Sequence, residues 1–325
     1  MGSSSATPSS ASPEFLAVFR AEAGSGGVMT FARFMELALY HPLVGYYQRD
    51  RERVGRGGRT DFFTATTSGP IFGELVAAAC TKLLGDRDPR RHTFIEIGAE
   101  PGQSVLAGVA HPFAQTETRR LGESLALAGE CVVFSNELFD AQPCIRMVYR
   151  HGRWHEIGVA IDGGSLVEVE LPPGTPGPGN EGYHFDHPSA AAKLAVKIAA
   201  QPWRGLFVAF DYGKTLPELA QHTPAGTVRA YRRHVQSNSL LDRPGEQDLT
   251  CHVCWDWMSD ALRENGFPGP VLEFQESFFL HHAADCIAAK SIAEAGRLSP
   301  RKLALFQLLH PAQMGQKFQV LHALR

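Results

Sequence analysis

Cysteine is scarce in this chain, with six among 325 residues. Several, such as Cys80, Cys131 and Cys286, sit in apolar contexts, the pattern of reduced core thiols rather than of a disulfide framework. A small stapled scaffold is excluded and a cytoplasmic location is expected. An excess of charge of one sign is lacking too, since 31 Lys+Arg face 34 Asp+Glu for a net charge of −3. A broad basic footprint is therefore absent and no nucleic-acid partner is expected. No apolar run approaches the roughly 18 residues of a spanning helix, so membrane insertion is not expected. The opening MGSSSATPSSASPEF has no apolar h-region, carries Glu14 and has no Arg before Arg20. Signal peptide and organelle presequence are thus disfavoured, and residues 1–13 read as a disordered tail. There is no useful internal repeat, no phosphate-binding P-loop and no Gly-x-Ser-x-Gly elbow, which leaves nucleoside-triphosphate and acyl-transfer chemistry without support.

What is present is a globular composition, 44% hydrophobic and 20% charged. At this mass roughly three quarters of the unfolded surface is buried on folding, enough for one large core plus a satellite or for two modest domains. Thr30 is placed to cap a helix whose apolar positions Phe31, Phe34, Met35, Ala38 and Leu39 recur at helical spacing, stopped by His41-Pro42. After a Gly- and Arg-rich stretch, Ile71, Phe72, Leu75, Val76, Ala79 and Leu83 mark a second helix with Gly85 at its end. Residues 14–90 read as an N-terminal helical and loop segment.

Phe94–Ile97, Cys131–Phe134 and Leu206–Phe210 are short continuous apolar runs, as in strands buried on both faces of a parallel sheet. Each is followed by a polar cluster: Gly98 to Gly102 with helix-like residues 104–109 behind it, then Asn136 to Asp140, then Asp211-Tyr212-Gly213. In open α/β sheets ligands bind outside the carboxyl ends of the strands, so the three clusters are expected at one rim. The expected fold is α/β, with a Rossmann-like domain over 91–325. It is interrupted around 145–188 by a β-hairpin insertion ending in the loop LPPGTPGPG. Helices are expected at 189–201 and 256–265, and strands at 271–274 and 318–324.

The Glu96-Ile-Gly98-Ala-Glu100-Pro-Gly102 turn has glycines that let backbone approach a nucleotide-like cofactor; a plain strand-to-helix turn is the other reading. In Asn136-Glu137-Leu-Phe-Asp140-Ala-Gln142-Pro143, a helical turn would put Glu137 and Asp140 on one face, able to grip a guanidinium. The alternative is a set of helix N-caps. Cys251-x-x-Cys254 has no second CxxC and no spaced His pair, so no metal is expected there. His281-His282 lacks partners at ligand spacing and reads as structural.

Taken together, FMELALYHPLVGYY (34–47), DFFTATTSGPIFG (61–73), 96–102, NELFDAQP (136–143), DYG (211–213), GTVRAY (226–231) with His234, PGEQDLTCHV (244–253) and PAQMGQKFQVL (311–321) resemble the MidA family of S-adenosylmethionine-dependent methyltransferases. Its mitochondrial members serve respiratory complex I assembly. The resemblance implies a seven-stranded methyltransferase sheet, S-adenosylmethionine as cofactor, and methyl transfer to an arginine-bearing protein substrate. Carried over by motif, Glu96, Gly98 and Gly102 would line the cofactor, and Asp61, Thr64 and Gly73 lie in a segment expected to cover it. Glu137 and Asp140 would orient the guanidinium and take its proton, with Asn136 and Pro143 shaping the place.

Two departures stand out. Glu100 replaces a family glycine, and a carboxylate there crowds the cofactor's own carboxylate unless it turns away. The stretch from Gly102 to Cys131 is short for a helix, strand, helix and strand, and the segment ending in an acidic residue for the ribose is missing; Glu117 and Glu123 are the substitutes at hand. The readings left are an active methyltransferase with a remodelled adenosine pocket, a non-catalytic relative that binds a protein partner, and, less well matched, a dinucleotide oxidoreductase.

Overall fold

The computed structural model describes residues 11–48, 69–100, 102–120, 125–296 and 299–325. Residues 1–10 of the expected tail, Asp61, Thr64 and Glu123 lie outside them. The chain divides into two compact units. The first takes in 1–62, 141–190 and 215–252, the second 63–140, 191–214 and 253–325. This division differs from a cut near residue 90, because the N-terminal elements build their core with the insertion rather than with the helix that follows them.

In the first unit, helix α1 (Pro13–Ala23) starts where the Ser12 side chain accepts from the Phe15 N–H. Strand β1 (Val28–Thr30) leads into α2 (Phe31–Tyr40), and Thr30 caps α2 as its sequence predicts, accepting from Arg33 N–H at 3.2 Å. β1 pairs antiparallel with β6 (Arg153–Asp162), which lies between β5 (Ile145–Arg150) and β7 (Ser165–Pro176); β8 (His184–His187) flanks β5. The LPPGTP stretch expected as loop is the end of β7, paired as far as Pro176 with Arg153 across a register shift. Proline is tolerated there because β7 is an edge strand with one partner. Buried Phe15, Phe31, Phe34, Val159, Val228 and Leu249 share one apolar core.

The second unit holds the Rossmann-like sheet. Helix α3 (Pro70–Leu83) opens with proline at its first position and ends at Gly85, whose N–H donates to the Lys82 carbonyl at φ 61°. Strands β2 (Thr93–Ile97), β3 (Gln115–Arg119) and β4 (Gly129–Asn136) follow, then helix α4 (Ser189–Ala199), which begins in the first unit, and β9 (Trp203–Asp211). Short β10 (Gly213–Lys214) precedes three elements of the first unit and its helix α5 (Leu216–Gln221): β11 (Arg229–Arg232), β12 (Val235–Ser237) and β13 (Asp248–Thr250). The chain closes with β14 (Val253–Cys254), α6 (Trp255–Glu264), β15 (Val271–Phe274), α7 (Gln275–His282), α8 (Ala284–Ala293), α9 (Pro300–Leu309) and β16 (Gln319–Leu324). The sheet order is β15-β16-β9-β4-β2-β3, parallel from β9 through β3, with β16 antiparallel to both β9 and β15.

Among the described residues the sheet has six strands, where the resemblance implied seven. The short stretch between β2 and β4 supplies one strand, not two, and residues 104–109, expected as helix, form only turns closed by Ala107 N–H to Ser104 and Val109 N–H to Leu106. Phe72 of α3 meets Phe134, Phe210 and Phe279 edge-on or tilted, at 5.5 to 6.4 Å between ring centres. Truncating such a residue to alanine costs about 3–5 kcal/mol. Among the described residues no helix is long and apolar enough to cross a membrane.

Candidate active site at three strand ends

Register places the three polar clusters together. Ile97 of β2 lies beside Ser135 of β4, and Asn136 of β4 lies beside Phe210 of β9, so Gly98, Glu137 and Asp211 leave adjacent parallel strands at the same rim.

The turn after β2 is held from two sides. Glu96, 4% exposed, accepts the Val105 N–H at 2.7 Å. Burial raises its pKa above the ordinary carboxylate value, opposed by the Val105 N–H and the Ser104 hydroxyl. On the other side Gly73 of α3 approaches so closely that a Cβ there would stand 2.0 Å from the Val105 carbonyl oxygen. Gly73 is thus accounted for by packing, and Glu96 by anchoring the turn. Gly98 has φ 87°, and a Cβ on it would strike Leu138 at 2.8 Å. Gly102 also has positive φ, 71°, with open space around it.

The NELFDAQP segment does not start a helix. Glu137 takes φ 52°, rare for a residue with a side chain, and its N–H donates to the Phe210 carbonyl at 2.9 Å. The shared helical face expected for Glu137 and Asp140 therefore does not exist: Glu137 is partly exposed and Asp140 is 3% exposed. Asn136 Nδ2 donates to Glu137 Oε1 at 3.0 Å, while Asn136 Oδ1 is buried and meets no hydrogen-bond donor among the described residues. An orphaned buried acceptor at a strand-end rim is the kind of group a bound ligand satisfies.

Asp211 is the residue that the sequence reading underweighted. Fully buried, it accepts N–H groups from Phe139 and Tyr212, each at 2.8 Å, and also from Leu138 and Asp140. Burial pushes its pKa up to about 7, against those four donors, which favour the charged form. The available signal was a carboxylate placed directly after an apolar run that is buried along its whole length. At the end of β3, the place of the missing ribose acid, the residue is Arg119, and Glu117 is engaged in an ion pair with it.

The residues present suit a nucleotide-like cofactor. Two positive-φ glycines open the backbone after β2, the turn is doubly anchored, and Asn136 offers a free buried acceptor. The first unit carries a separate apolar groove of about 470 Å³ lined by Ile145, Met147, Trp154, Tyr183 and Phe185. It has no convergent carboxylates, so the chemistry is assigned to the strand ends. Among the described residues the CxxC joins no group of three metal-ligating side chains.

Residues 120–269 match a family model described as "Putative S-adenosyl-L-methionine-dependent methyltransferase". The chain is 24% identical to a zebrafish (Danio rerio) protein named Protein arginine methyltransferase NDUFAF7, mitochondrial, over 90% of this chain and 82% of that one. Two solved structures of a COG1565 superfamily protein from Burkholderia thailandensis share its fold at 24% identity. One, bound to S-adenosyl-homocysteine, has a TM-score of 0.82 and the other, native, 0.79; each comparison covers 98% of this chain and 95% of the other.

Proposed function

We propose that this chain is an S-adenosylmethionine-dependent methyltransferase, as its family-model match supports, and that its methyl acceptor is the guanidinium of a protein arginine, oriented by Glu137. The observation that carries this reading is the Asn136-Glu137 pair at the rim: a partly exposed carboxylate set by a strained backbone, beside a buried amide oxygen that lacks a donor among the described residues.

When bound, S-adenosylmethionine supplies a methyl group made electrophilic by its sulfonium. With that cofactor bound, the turn from Gly98 to Gly102 would hold its polar end through backbone, and Glu96 keeps that turn in place. A guanidinium nitrogen would take up the methyl group, releasing S-adenosylhomocysteine, and would shed a proton. Glu137 fixes the guanidinium plane by charge-assisted hydrogen bonds and accepts that proton. Asp140 contributes its backbone N–H to Asp211, which locks the loop that carries Glu137. Most of the catalytic effect is alignment of two bound partners.

The test is calorimetric titration with S-adenosylhomocysteine, followed by labelled methyl transfer to arginine- and lysine-containing peptides. Micromolar binding, arginine-selective transfer, and loss of transfer but not of binding in Glu137→Gln are expected. Transfer to another acceptor, or full arginine transfer by Glu137→Gln, overturns the assignment. Absence of binding by folded protein returns the partner-binding relative. Glu100→Gly tightens binding if Glu100 crowds the pocket.

A further inference from the structure

One and two strands along the sheet from β9, the closing strands of the second unit bring together side chains that methyl transfer does not use. Glu273 lies on β15, His281 and His282 end α7, and His322 lies on β16. Val271 is opposite His322 in the antiparallel pair, so Glu273, two residues along, shares the sheet face with His322. Helix α7 begins one residue after β15 and returns its last turn to that face.

All three imidazoles point a ring nitrogen at the one carboxylate. His281 Nδ1 is 2.5 Å from Glu273 Oε1, and His282 Nε2 and His322 Nε2 are 2.9 and 3.0 Å from Oε2. The ligand atoms of Glu273, His281 and His282 lie within 4.8 Å of one another. Phe278 packs against both His282 and His322, at 5.1 and 5.5 Å between ring centres, and so fixes two of the rings. The His281-His282 pair thus has the partners that its sequence context did not reveal, because they come from strands 8 and 40 residues away.

We propose that Glu273, His281, His282 and His322 form a zinc site that ties α7 to the β15–β16 edge of the sheet. Three neutral imidazoles and one carboxylate are a borderline-soft N3O set, which suits zinc and its first-row neighbours and not magnesium or calcium, which take mainly oxygen ligands. Four protein ligands with no thiolate leave a net charge of +1 on the centre and close the coordination shell, as in structural zinc sites. Without metal, ring N–H groups donate to the carboxylate. Zinc takes the place where they converge, each imidazole keeping its proton on the other nitrogen. Tetrahedral ligands at zinc distances stand about 3.3 Å apart, so the ring nitrogens, now 2.5 to 3.0 Å from the carboxylate oxygens, must move slightly out from it, and His322, outside the group whose ligand atoms lie within 4.8 Å of one another, must draw in; the exposed His281 side chain has the room to adjust.

The experiment strips the full-length protein with chelator and titrates it with zinc chloride, by calorimetry and by competition with a chromophoric chelator. One equivalent bound at submicromolar affinity is expected, with a melting temperature raised by about 4–7 °C at 100-fold excess over Kd. Glu273→Gln and His281→Ala, which remove one ligand each with little loss of packing, should weaken binding at least 10-fold while circular dichroism stays unchanged. The exposed His222→Ala serves as the control and leaves affinity alone. Cobalt(II) added in place of zinc should give the intense visible absorption of a tetrahedral centre. No stoichiometric zinc binding, or one equivalent bound equally well by both variants, overturns the proposal. Neither cofactor binding nor methyl transfer enters the readout, so failure here leaves the methyltransferase reading where it was.

Discussion

Two aspartates, one in each unit, are buried almost completely and accept backbone N–H groups, yet they are built differently. Asp186 in the first unit accepts from Arg146 Nη1 at 2.7 Å and from the N–H groups of Thr227 and Val228 at 2.5 and 2.9 Å. Arg146 is itself buried, lies over the Phe31 ring, and pairs on its other side with Glu168. Asp211 in the second unit has four N–H donors and, among the described residues, no ion-pair partner, and burial moves its pKa up to about 7. A buried carboxylate held by an arginine is tied into the scaffold by that pair; Asp211, met by amide dipoles, titrates near neutrality. The family-like GTVRAY segment therefore serves the interior of the first unit, and the NELFDAQP and DYG segments serve the rim of the second.

The comparison breaks most readily at Asp186. Asp186→Ala leaves Arg146 buried without its closest partner and two N–H groups unsatisfied, so urea denaturation should show a loss of about 3–5 kcal/mol. Adding Arg146→Met should recover at least about 1 kcal/mol, because the stranded charge goes with it. A loss under about 1 kcal/mol from Asp186→Ala alone would mean that the pair is not what holds GTVRAY in place. On the rim the largest effect is on rate. Glu137→Gln should lower arginine methylation about 100-fold or more with binding of S-adenosylhomocysteine within a few-fold, measured by labelled transfer and calorimetry.

These residues also show how far the sequence could be read. Strands β2, β4 and β9 were legible because a strand covered on both faces has to be apolar at every position, and the rim followed from their shared direction. The helical face for Glu137 and Asp140 was not, since spacing alone cannot foresee φ 52° at Glu137, which depends on a carbonyl of β9 more than 70 residues on. The two-unit division was hidden for the same reason: β1 finds its partner in β6, about 130 residues later. Helices α7 to α9 escaped notice because their apolar residues do not form one clean stripe, Leu280, Ile292, Leu303 and Phe306 being exposed. Asp186 and Arg146 carried no local signal at all, since an ion pair 40 residues apart is written only in the fold.

Two glycines sharpen the contrast between the units with the backbone held nearly constant. Gly226 has φ 70° and Gly102 φ 71°, but a Cβ on Gly226 would stand 2.2 Å from Asp186 Oδ2, and one on Gly102 would meet nothing within 4 Å. Alanine at either position pays the left-handed backbone cost of about 1–2 kcal/mol. Gly226→Ala should lose at least about 1 kcal/mol more, because it also pushes the Asp186 carboxylate off its donors. Equal losses in thermal or urea unfolding would show that the anchor tolerates displacement and that GTVRAY is less tightly built than its contacts imply.

The gentlest test is the pH dependence of stability, and its sign follows from Asp211. Its folded pKa, about 7, lies above the ordinary aspartate value of 3.8, so between these limits the native state holds a proton that the unfolded chain has released. Unfolding then becomes easier as pH rises, by at most about 1.4 kcal/mol per pH unit from this one group, and the slope disappears above pH 7. Other carboxylates act in the opposite sense. Glu273, held below the ordinary value by its three histidines, adds stability that is lost as pH falls through its own folded pKa. The informative quantity is therefore the difference between the native protein and Asp211→Asn across pH 4–7, which should isolate the falling slope. A difference that stays level over that window would mean that the four N–H donors keep Asp211 charged throughout, and that amide dipoles alone offset the cost of burying its charge.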